Sequence, residues 1–266
     1  MLPRDSLSKL KFRDVGELHR TEEIARLLDL GDRALQRWEV VYSDFLPPPI
    51  LAEAEALFQK FTEVQVLAWG GYDQAERQRL AIARVEQSLS PTDFPLLPIE
   101  IVGNFLFDPA HHRDFLGAIL ATGIDRGKVG DIIVLGERGA QAIVDPTLGD
   151  YLVLNLQQVR TVPVKVRGIE WSELRVRPPQ TKEVVSVEAS LRLDAVASAG
   201  FGMSRSKMAE LIQQAEVRVN WKTIEQPSYQ LKPGDLVSIR GKGRLRIDDV
   251  LVTKKNRYRV QMTRSV

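Results

Sequence analysis

The chain has 266 residues and a net charge of +2, and 44% of its residues are hydrophobic, which supports two or three folded domains and excludes a disordered protein. It contains no cysteine, which excludes disulfides, thiolate metal sites and a catalytic thiol. No apolar run reaches the roughly 20 residues of a membrane helix, and the first residues lack the apolar core of a signal peptide. We therefore expect a cytoplasmic protein without a membrane segment.

Residues 1–95 are predicted to form a mostly helical domain. Apolar residues recur at helical spacing between positions 14 and 62. Residues 64–69 are typical of a strand. The turn in Trp69-Gly70-Gly71-Tyr72 serves either as a simple connection or as a functional loop. The proline-rich stretch at 91–98 ends this domain.

Residues 96–178 are predicted to form a ferredoxin-like sandwich, the topology of RNA-recognition domains. Strand and helix patterns follow each other in the order βαββαβ. The strands are predicted at 99–105, 131–135, 140–144 and 162–166, and the helices at 112–122 and 146–159. The aromatic-rich motif that stacks bases in RNA-recognition domains is missing, so RNA binding by this domain is an open alternative rather than an expectation.

Positive charge is concentrated after a predicted linker at residues 178–181. Residues 183–266 carry 15 Lys and Arg against 9 Asp and Glu, whereas the rest of the chain carries 22 against 26. This asymmetry points to a polyanionic partner, with a solvated basic surface as the alternative. Ser204 is predicted to cap a helix whose first turn contains Arg205 and Lys207. Cations there oppose the helix dipole unless a phosphate binds.

The following strands are predicted to carry cations on one face. In residues 237–247 apolar residues or glycine occupy the odd positions, and polar residues occupy the even ones. The even positions are Ser238, Arg240, Lys242, Arg244 and Arg246. Because strand side chains alternate between faces, this hairpin has one buried face and one basic face without an acidic partner. Lys254–Arg259 form either a flexible arm on RNA or a final strand.

Residues 190–247 resemble the S4 RNA-binding domain, which occurs in a small-subunit ribosomal protein, in pseudouridine synthases and in tyrosyl-tRNA synthetases. The matching elements are Arg192-Leu193-Asp194, Ser204-Arg205 with Leu211-Ile212, Val217 with Val219-Asn220, Gly234-Asp235, and Ser238 to Gly241. Ala215 and Trp221 depart from the glycines that are usual in this domain. The resemblance implies an αL-type S4 domain over residues 183–250, followed by a basic tail at 251–266.

A wider resemblance, over about residues 65–250, is to the YlmH family of bacterial S4 proteins. It is carried by Asn220-Trp221-Lys222, Gly70-Gly71-Tyr72 with Ala75-Glu76-Arg77, the run from His112 to Leu120, Gly123-Ile124 with Arg126 and Lys128, and Gly130-Asp131-Ile132. The layout is most similar to the cyanobacterial and plastid branch, the photosystem II S4 domain proteins. This resemblance implies a non-catalytic, ribosome- or RNA-associated factor, located in the cytoplasm or, in a plant, in the plastid stroma.

The sequence predicts no catalytic site, cofactor or metal site. The histidines are His19, His111 and His112, and no cysteine joins them in a ligand set. No glycine-rich phosphate loop follows a predicted strand. Asp108 is expected to cap a helix rather than to act as an acid. The fold class is therefore α+β, with an N-terminal helical region, a central ferredoxin-like sandwich and a C-terminal S4 domain.

The favoured function is the binding of structured RNA, either ribosomal RNA or tRNA on the ribosome, by phosphate contacts. The predicted RNA-binding residues are Arg192, Ser204, Arg205, Lys207, Arg218, Asn220, Trp221, Lys222, Arg240, Lys242 and Arg244. Trp221 and Tyr258 are the aromatic residues that can stack on bases. One alternative is an assembly factor, related to photosystem II, whose N-terminal and central domains bind a protein while S4 serves as a tether. A weaker one is an RNA-modifying enzyme.

Overall fold

The computed structural model describes residues 22–176, 180–239 and 241–265. These residues fall into two units, and the boundary follows Val176. Both units contain helices and sheets, which confirms the predicted α+β class. The predicted helical residues before position 22, His19 and Arg240 lie outside the described residues.

The first unit begins with two helices that pack on a small antiparallel sheet. The elements are α1 (Glu22–Arg37), β1 (Val41–Tyr42), α2 (Pro48–Phe58), β2 (Val64–Trp69) and β3 (Arg79–Arg84). The sheet has the order β1-β3-β2. The sequence predicts only β2, because Leu80 to Ala83 are all buried and therefore show none of the alternation that identifies a strand.

A ferredoxin-like sandwich follows. Its helices are α3 (His112–Ala121) and α4 (Gly149–Asn155). Its strands are β4 (Leu97–Val102), β5 (Val129–Val134), β6 (Gly139–Val144), β7 (Gln158–Val159), β8 (Val162–Pro163) and β9 (Lys165–Gly168). The main sheet is antiparallel and has the order β5-β6-β4-β9. The third strand of the motif thus lies between the first two, as in a split βαβ fold. Ile99, Phe115 and Val144 belong to the core of this sandwich.

Several details of the sandwich differ from the prediction. The strand predicted at 99–105 is β4, which ends at Val102, and the strand predicted at 162–166 is divided into β8 and β9. Helix α4 ends at Asn155 instead of continuing to 159, because the backbone leaves helical geometry at Leu156 (φ −87°, ψ 86°). Asp108 does not cap a helix, since it accepts hydrogen bonds from the side chains of Arg160 (2.7 Å) and Thr161 (2.6 Å). Asp114 accepts the hydrogen bond from the backbone N–H of His111 at the start of α3.

The second unit packs two helices on a six-stranded antiparallel sheet. The helices are α5 (Leu193–Phe201) and α6 (Arg205–Gln213), and the strands are β10 (Thr181–Glu188), β11 (Val217–Val219), β12 (Lys222–Thr223), β13 (Leu236–Ile239), β14 (Gly243–Val252) and β15 (Tyr258–Ser265). The sheet order is β10-β15-β14-β13-β11-β12. Val196, Met208 and Leu245 are buried in the core between the helices and the sheet.

Both ends of this unit extend the sheet. Thr181, which the sequence assigns to a linker, begins β10. Of the two alternatives for Lys254–Arg259, the final strand is confirmed from Tyr258 onwards, where β15 pairs with β10 and with β14. Val260 and Met262 alternate into the core, which explains why a strand forms despite the surrounding cations.

Candidate nucleic-acid interface

The junction between α5 and α6 has the predicted geometry. Gly202 ends α5 in the left-handed conformation (φ 68°). The hydroxyl of Ser204 accepts a hydrogen bond from the backbone N–H of Lys207 at 3.2 Å, which confirms Ser204 as the helix cap. Arg205 and Lys207 therefore lie in the first turn of α6. Lys207 also pairs with Glu210 at 2.9 Å, an exposed contact of small energetic value.

A buried carboxylate at this junction holds two arginines. Asp194 is 5% exposed, and it accepts hydrogen bonds from Nε and Nη2 of Arg192 (3.0 and 3.2 Å) and of Arg205 (3.0 and 3.3 Å). Burial opposes ionisation of Asp194, but the two guanidinium groups outweigh it and hold its pKa below the ordinary value. The arrangement carries one uncompensated positive charge.

Each of these guanidinium groups gives two of its five N–H groups to Asp194. The side chains of Arg192 and Arg205 are 36% and 56% exposed, so the remaining N–H groups lie close to solvent. We call Arg192, Ser204, Arg205 and Lys207 the helix-end cluster. Sequence reasoning missed the part that Asp194 plays. The available signal was an acidic residue in the first turn of a short apolar helix.

The predicted basic face of the hairpin is present. Ile239 pairs with Gly243 and Val237 with Leu245, and their apolar side chains are buried. On the outer face Arg218, Ser238 and Arg244 are register partners across three strands. Two strand spacings separate the arginines, which is about 10 Å. The face is not free of acids, however, because Arg246 pairs with Asp248 at 2.6 Å.

Trp221 lies at this outer face. It is half-buried, and the guanidinium carbon of Arg244 lies 5.0 Å from its ring centroid. Lys222 follows it with an exposed side chain, and Lys242 is exposed in the turn between β13 and β14. We call Arg218, Trp221, Lys222 and Arg244 the strand-face cluster.

Asn220 differs from its neighbours because its side chain is used within the fold. Its amide donates to the carboxylate of Asp235 at 2.8 Å and accepts from the backbone N–H of Leu236 at 2.9 Å. Asp235 is itself buried. The structure therefore gives Asn220 a role in holding the turn before β12.

The two clusters lie on opposite sides of the sheet of the second unit. A Cβ atom on Gly200 of α5 would come within 2.2 Å of Leu245, so α5 packs directly on the inward face of β14. Arg244, the neighbour of Leu245, points away from the helices. The predicted RNA-binding residues thus form a helix-end cluster and a strand-face cluster. Arg264 links the end of α5 to the basic hairpin turn, since it donates to the carbonyls of Phe201 (3.0 Å) and Lys242 (3.4 Å).

In the first unit, the sheet face that RNA-recognition domains use is partly covered by the chain itself. Glu100, Gln141 and Arg167 are neighbours on the side of the sheet opposite the helices. Arg167 pairs with Glu100 at 2.6 Å, and Gln141 hydrogen-bonds to the carbonyl of Glu173 (3.0 Å) and to the backbone N–H of Arg175 (2.7 Å). The part of this face around Gln141 is therefore closed to RNA, whereas the side chain of Arg167 at the β9 edge is 54% exposed.

The motifs around Tyr72 and Asp131 join the two sheets of the first unit. Asp131 accepts hydrogen bonds from the hydroxyl of Tyr72 (2.8 Å) and from the backbone N–H groups of Glu76 (2.7 Å) and Arg77 (3.0 Å). Arg77 also donates to the carbonyl of Val129 at 3.1 Å. Burial raises the pKa of Tyr72, and burial together with Arg126 lowers the pKa of Arg77 to about 10. The residues that follow the Gly70-Gly71 turn therefore connect it to β5.

Comparison with known proteins gives three consecutive family matches. The models described as "YlmH, N-terminal", "Putative RNA-binding domain in YlmH" and "S4 domain" match residues 19–87, 90–173 and 191–237. The Bacillus subtilis protein named "Ribosome-associated protein quality control protein P2" is 33% identical over 230 residues, which are 86% of this chain and 89% of that protein. The chain belongs to the YlmH family.

Two further matches cover parts of this YlmH-family chain. The small ribosomal subunit protein uS4 of Pseudomonas putida is 44% identical over 64 residues, which are 23% of this chain and 31% of that protein. The solved structure titled "Cell division protein ylmH from Streptococcus pneumoniae" is 21% identical, with a TM-score of 0.49, and the match covers 58% of this chain and 96% of that one.

Within residues 22–176, 180–239 and 241–265, no group of three or more His, Cys, Asp or Glu side chains is arranged to hold a metal ion. No helix in these ranges is both long and apolar enough to span a membrane.

Proposed function

We propose that this protein is a non-catalytic RNA-binding factor of the ribosome, which holds ribosomal RNA or tRNA by phosphate contacts from its S4 domain. One observation carries the proposal. Buried Asp194 holds Arg192 and Arg205 together at the N-terminal end of α6. One arginine would be enough to neutralise this carboxylate, so the second leaves a positive charge that is available to an anion.

The physical chemistry of this junction favours phosphate. A guanidinium fork matches two oxygens of one phosphate group. Because Asp194 fixes both forks before RNA arrives, less side-chain entropy is lost on binding. The positive end of the α6 dipole adds to the attraction for an anion.

The relatives support the ribosome as the place of action. The Bacillus relative is named for its association with the ribosome, and the Pseudomonas relative is itself a ribosomal protein. The description of the model that matches residues 90–173 makes the first unit a candidate for further RNA contacts. These contacts would lie outside the part of its sheet face that Glu173 and Arg175 cover.

The proposal is tested by titrating the full-length protein with ribosomal large subunits, total tRNA and a short RNA duplex at several salt concentrations. Arg192→Ala and Arg205→Ala are examined separately, so that Asp194 keeps one partner in each variant. Each variant is expected to lower the slope of log affinity against log salt concentration by about one unit, the effect of one lost phosphate contact.

The matched control is Lys254→Ala with Lys255→Ala. These exposed cations lie in the turn between β14 and β15, at the far end of β14 from the basic hairpin turn. The control is expected to leave the preference among the three RNAs unchanged. Equal losses of RNA affinity in the control and in the arginine variants would contradict the proposal. A wild type that binds all three RNAs equally weakly would also contradict it.

A further inference from the structure

The turn between β11 and β12 has an unusual residue in its second position. Asn220 (φ 48°) and Trp221 (φ 69°) are both left-handed, as in the two-residue turns that commonly end in glycine. A left-handed backbone is disfavoured for every residue with a Cβ atom, and a bulky side chain in that region is an outlier. Glycine at position 221 would remove this strain.

Core packing does not account for the indole. Trp221 is half-buried and is not part of the apolar core of the second unit, which is built from residues such as Val217, Val219 and Val237. Phe201 of the same unit differs from Trp221 in this respect. Its ring also lies below a guanidinium group, but Phe201 is a buried core residue. A strained residue that the core does not require is a candidate for function.

The surroundings of the indole indicate its ligand. Arg244 lies over the ring, Lys222 is the next residue, and Arg218 is in the same cross-strand row as Arg244. An aromatic plane among cations is the combination that binds unpaired nucleotides, because the base stacks on the ring while the cations hold the neighbouring phosphates. A purely phosphate-binding surface would need no aromatic plane.

We infer that Trp221 is a base-stacking residue that takes one unpaired nucleotide of the bound RNA, while Arg218, Lys222 and Arg244 hold the adjoining phosphates. This inference rests on the proposed function and deepens it. The strand-face cluster thereby selects RNA that carries a bulged or otherwise unpaired base, whereas the helix-end cluster binds the backbone alone.

The test uses the full-length protein and two probes, a short perfect RNA duplex and the same duplex with one bulged uridine. The wild type is expected to bind the bulged duplex about 5- to 150-fold more tightly, the range for one stacked base. Trp221→Gly and Trp221→Leu are expected to lose this preference while binding the perfect duplex like the wild type. Trp221→Tyr keeps an aromatic plane and is expected to retain most of the preference.

Two readouts separate stacking from a structural role. Because no charge changes, the salt dependence of binding to the perfect duplex should be unaltered in all three variants. Trp221→Gly relieves the left-handed strain, so its melting temperature should be equal to or higher than that of the wild type. Tyr229→Leu is the matched control, since Tyr229 is a partly buried aromatic residue of the same unit that packs against the core, and it should leave the preference for the bulge unchanged.

Three results would overturn the inference. One is a wild type that binds both duplexes equally, and another is a Trp221→Gly variant that keeps the preference. The third is a loss of perfect-duplex binding in all three variants with a lower melting temperature, which would make Trp221 structural. If the wild type binds neither duplex, and Arg205→Ala changes nothing, the proposed function itself fails and this inference fails with it.

Discussion

Asp194 links the stability of the second unit to the geometry of the helix-end cluster. Asp194→Asn preserves the shape of the side chain but removes the charge that Arg192 and Arg205 share. Both arginines are partly exposed, so water compensates part of the loss. We expect the variant to lower the free energy of unfolding of this unit by about 1–3 kcal/mol at neutral pH. Chemical denaturation measures this difference, and an unchanged midpoint would contradict it.

The same carboxylate predicts a pH dependence. Burial raises the pKa of Asp194, but the hydrogen bonds from Arg192 and Arg205 outweigh this effect, so the pKa in the folded protein is lowered. A lowered carboxyl pKa stabilises the fold above the unfolded value of about 3.9. This stabilisation is lost as the pH falls through the folded pKa.

The measurement is the difference in melting temperature between the wild type and Asp194→Asn across a pH series. The difference is expected to be constant above about pH 5 and to shrink below about pH 4. A difference that persists unchanged in stronger acid would mean that the ionised carboxylate is not what stabilises the junction.

At the scale of single elements, the turn before β12 depends on the side chain of Asn220. Asn220→Ala removes hydrogen bonds to Asp235 and to the backbone of Leu236 and places a Cβ-bearing residue without a polar side chain at φ 48°. We expect a loss of about 2–4 kcal/mol in the free energy of unfolding. Asn256→Ala, at a turn residue with φ 54°, is the matched control and should cost about 1 kcal/mol. Thermal melts measure both variants. Equal losses of stability in Asn220→Ala and Asn256→Ala would show that the hydrogen bonds of Asn220 contribute little.

The elements that sequence could predict are those with one buried and one exposed face. The β13–β14 hairpin is such a case, since Val237 and Leu245 alternate with Ser238 and Arg244. Strand β3 is the opposite case, because a strand that is buried on both faces carries no period. The central sandwich was predictable in order but not in the length of α4, which depends on one backbone angle at Leu156.

The candidate site was predictable as a set of cations but not as a geometry. Arg192 and Arg205 are thirteen positions apart in the sequence, and only the fold brings both to Asp194. Periodicity predicts which face of the hairpin is buried, but it does not show where the helix ends lie relative to that face. The division into a helix-end cluster and a strand-face cluster therefore required the structure. The pairing of Arg246 with Asp248 was missed because the two residues lie on one strand beside a register shift.

At the scale of the whole molecule, the YlmH-family motifs around Tyr72 and Asp131 stabilise the first unit by joining its two sheets. Asp131→Ala leaves the hydroxyl of Tyr72 and the backbone N–H groups of Glu76 and Arg77 without their acceptor. We expect the free energy of unfolding of this unit to fall by about 2–4 kcal/mol. Asp73→Ala, an exposed residue of the same turn, should change it by less than about 0.5 kcal/mol.

Hydrogen exchange followed by mass spectrometry checks this prediction for each unit separately. Exchange should rise in strands β3 and β5, and RNA-duplex binding by the second unit should stay unchanged. Increased exchange confined to residues 181–265, or equal effects of the two variants, would contradict a joining role for Asp131.

Membership of the photosystem II branch stays a prediction, because none of the described residues bears on it.

The division after Val176 allows the contribution of each unit to RNA binding to be separated. The basic residues are concentrated beyond this point, whereas acidic residues outnumber basic ones before position 183. We expect a fragment that begins at residue 177, once its thermal melt shows cooperative folding, to bind an RNA duplex at least as tightly as the full chain. Removal of a net acidic unit removes repulsion from the phosphates.

Binding to ribosomal large subunits distinguishes two roles of the first unit, RNA binding and protein binding. If the fragment also equals the full chain on ribosomal large subunits, the first unit contributes no net RNA affinity, and a protein partner for that unit becomes the favoured explanation of its presence. Weaker binding of the folded fragment to either RNA would contradict the prediction. It would assign RNA contacts to the first unit, outside the part of the sheet face that the backbone of Glu173 and Arg175 covers.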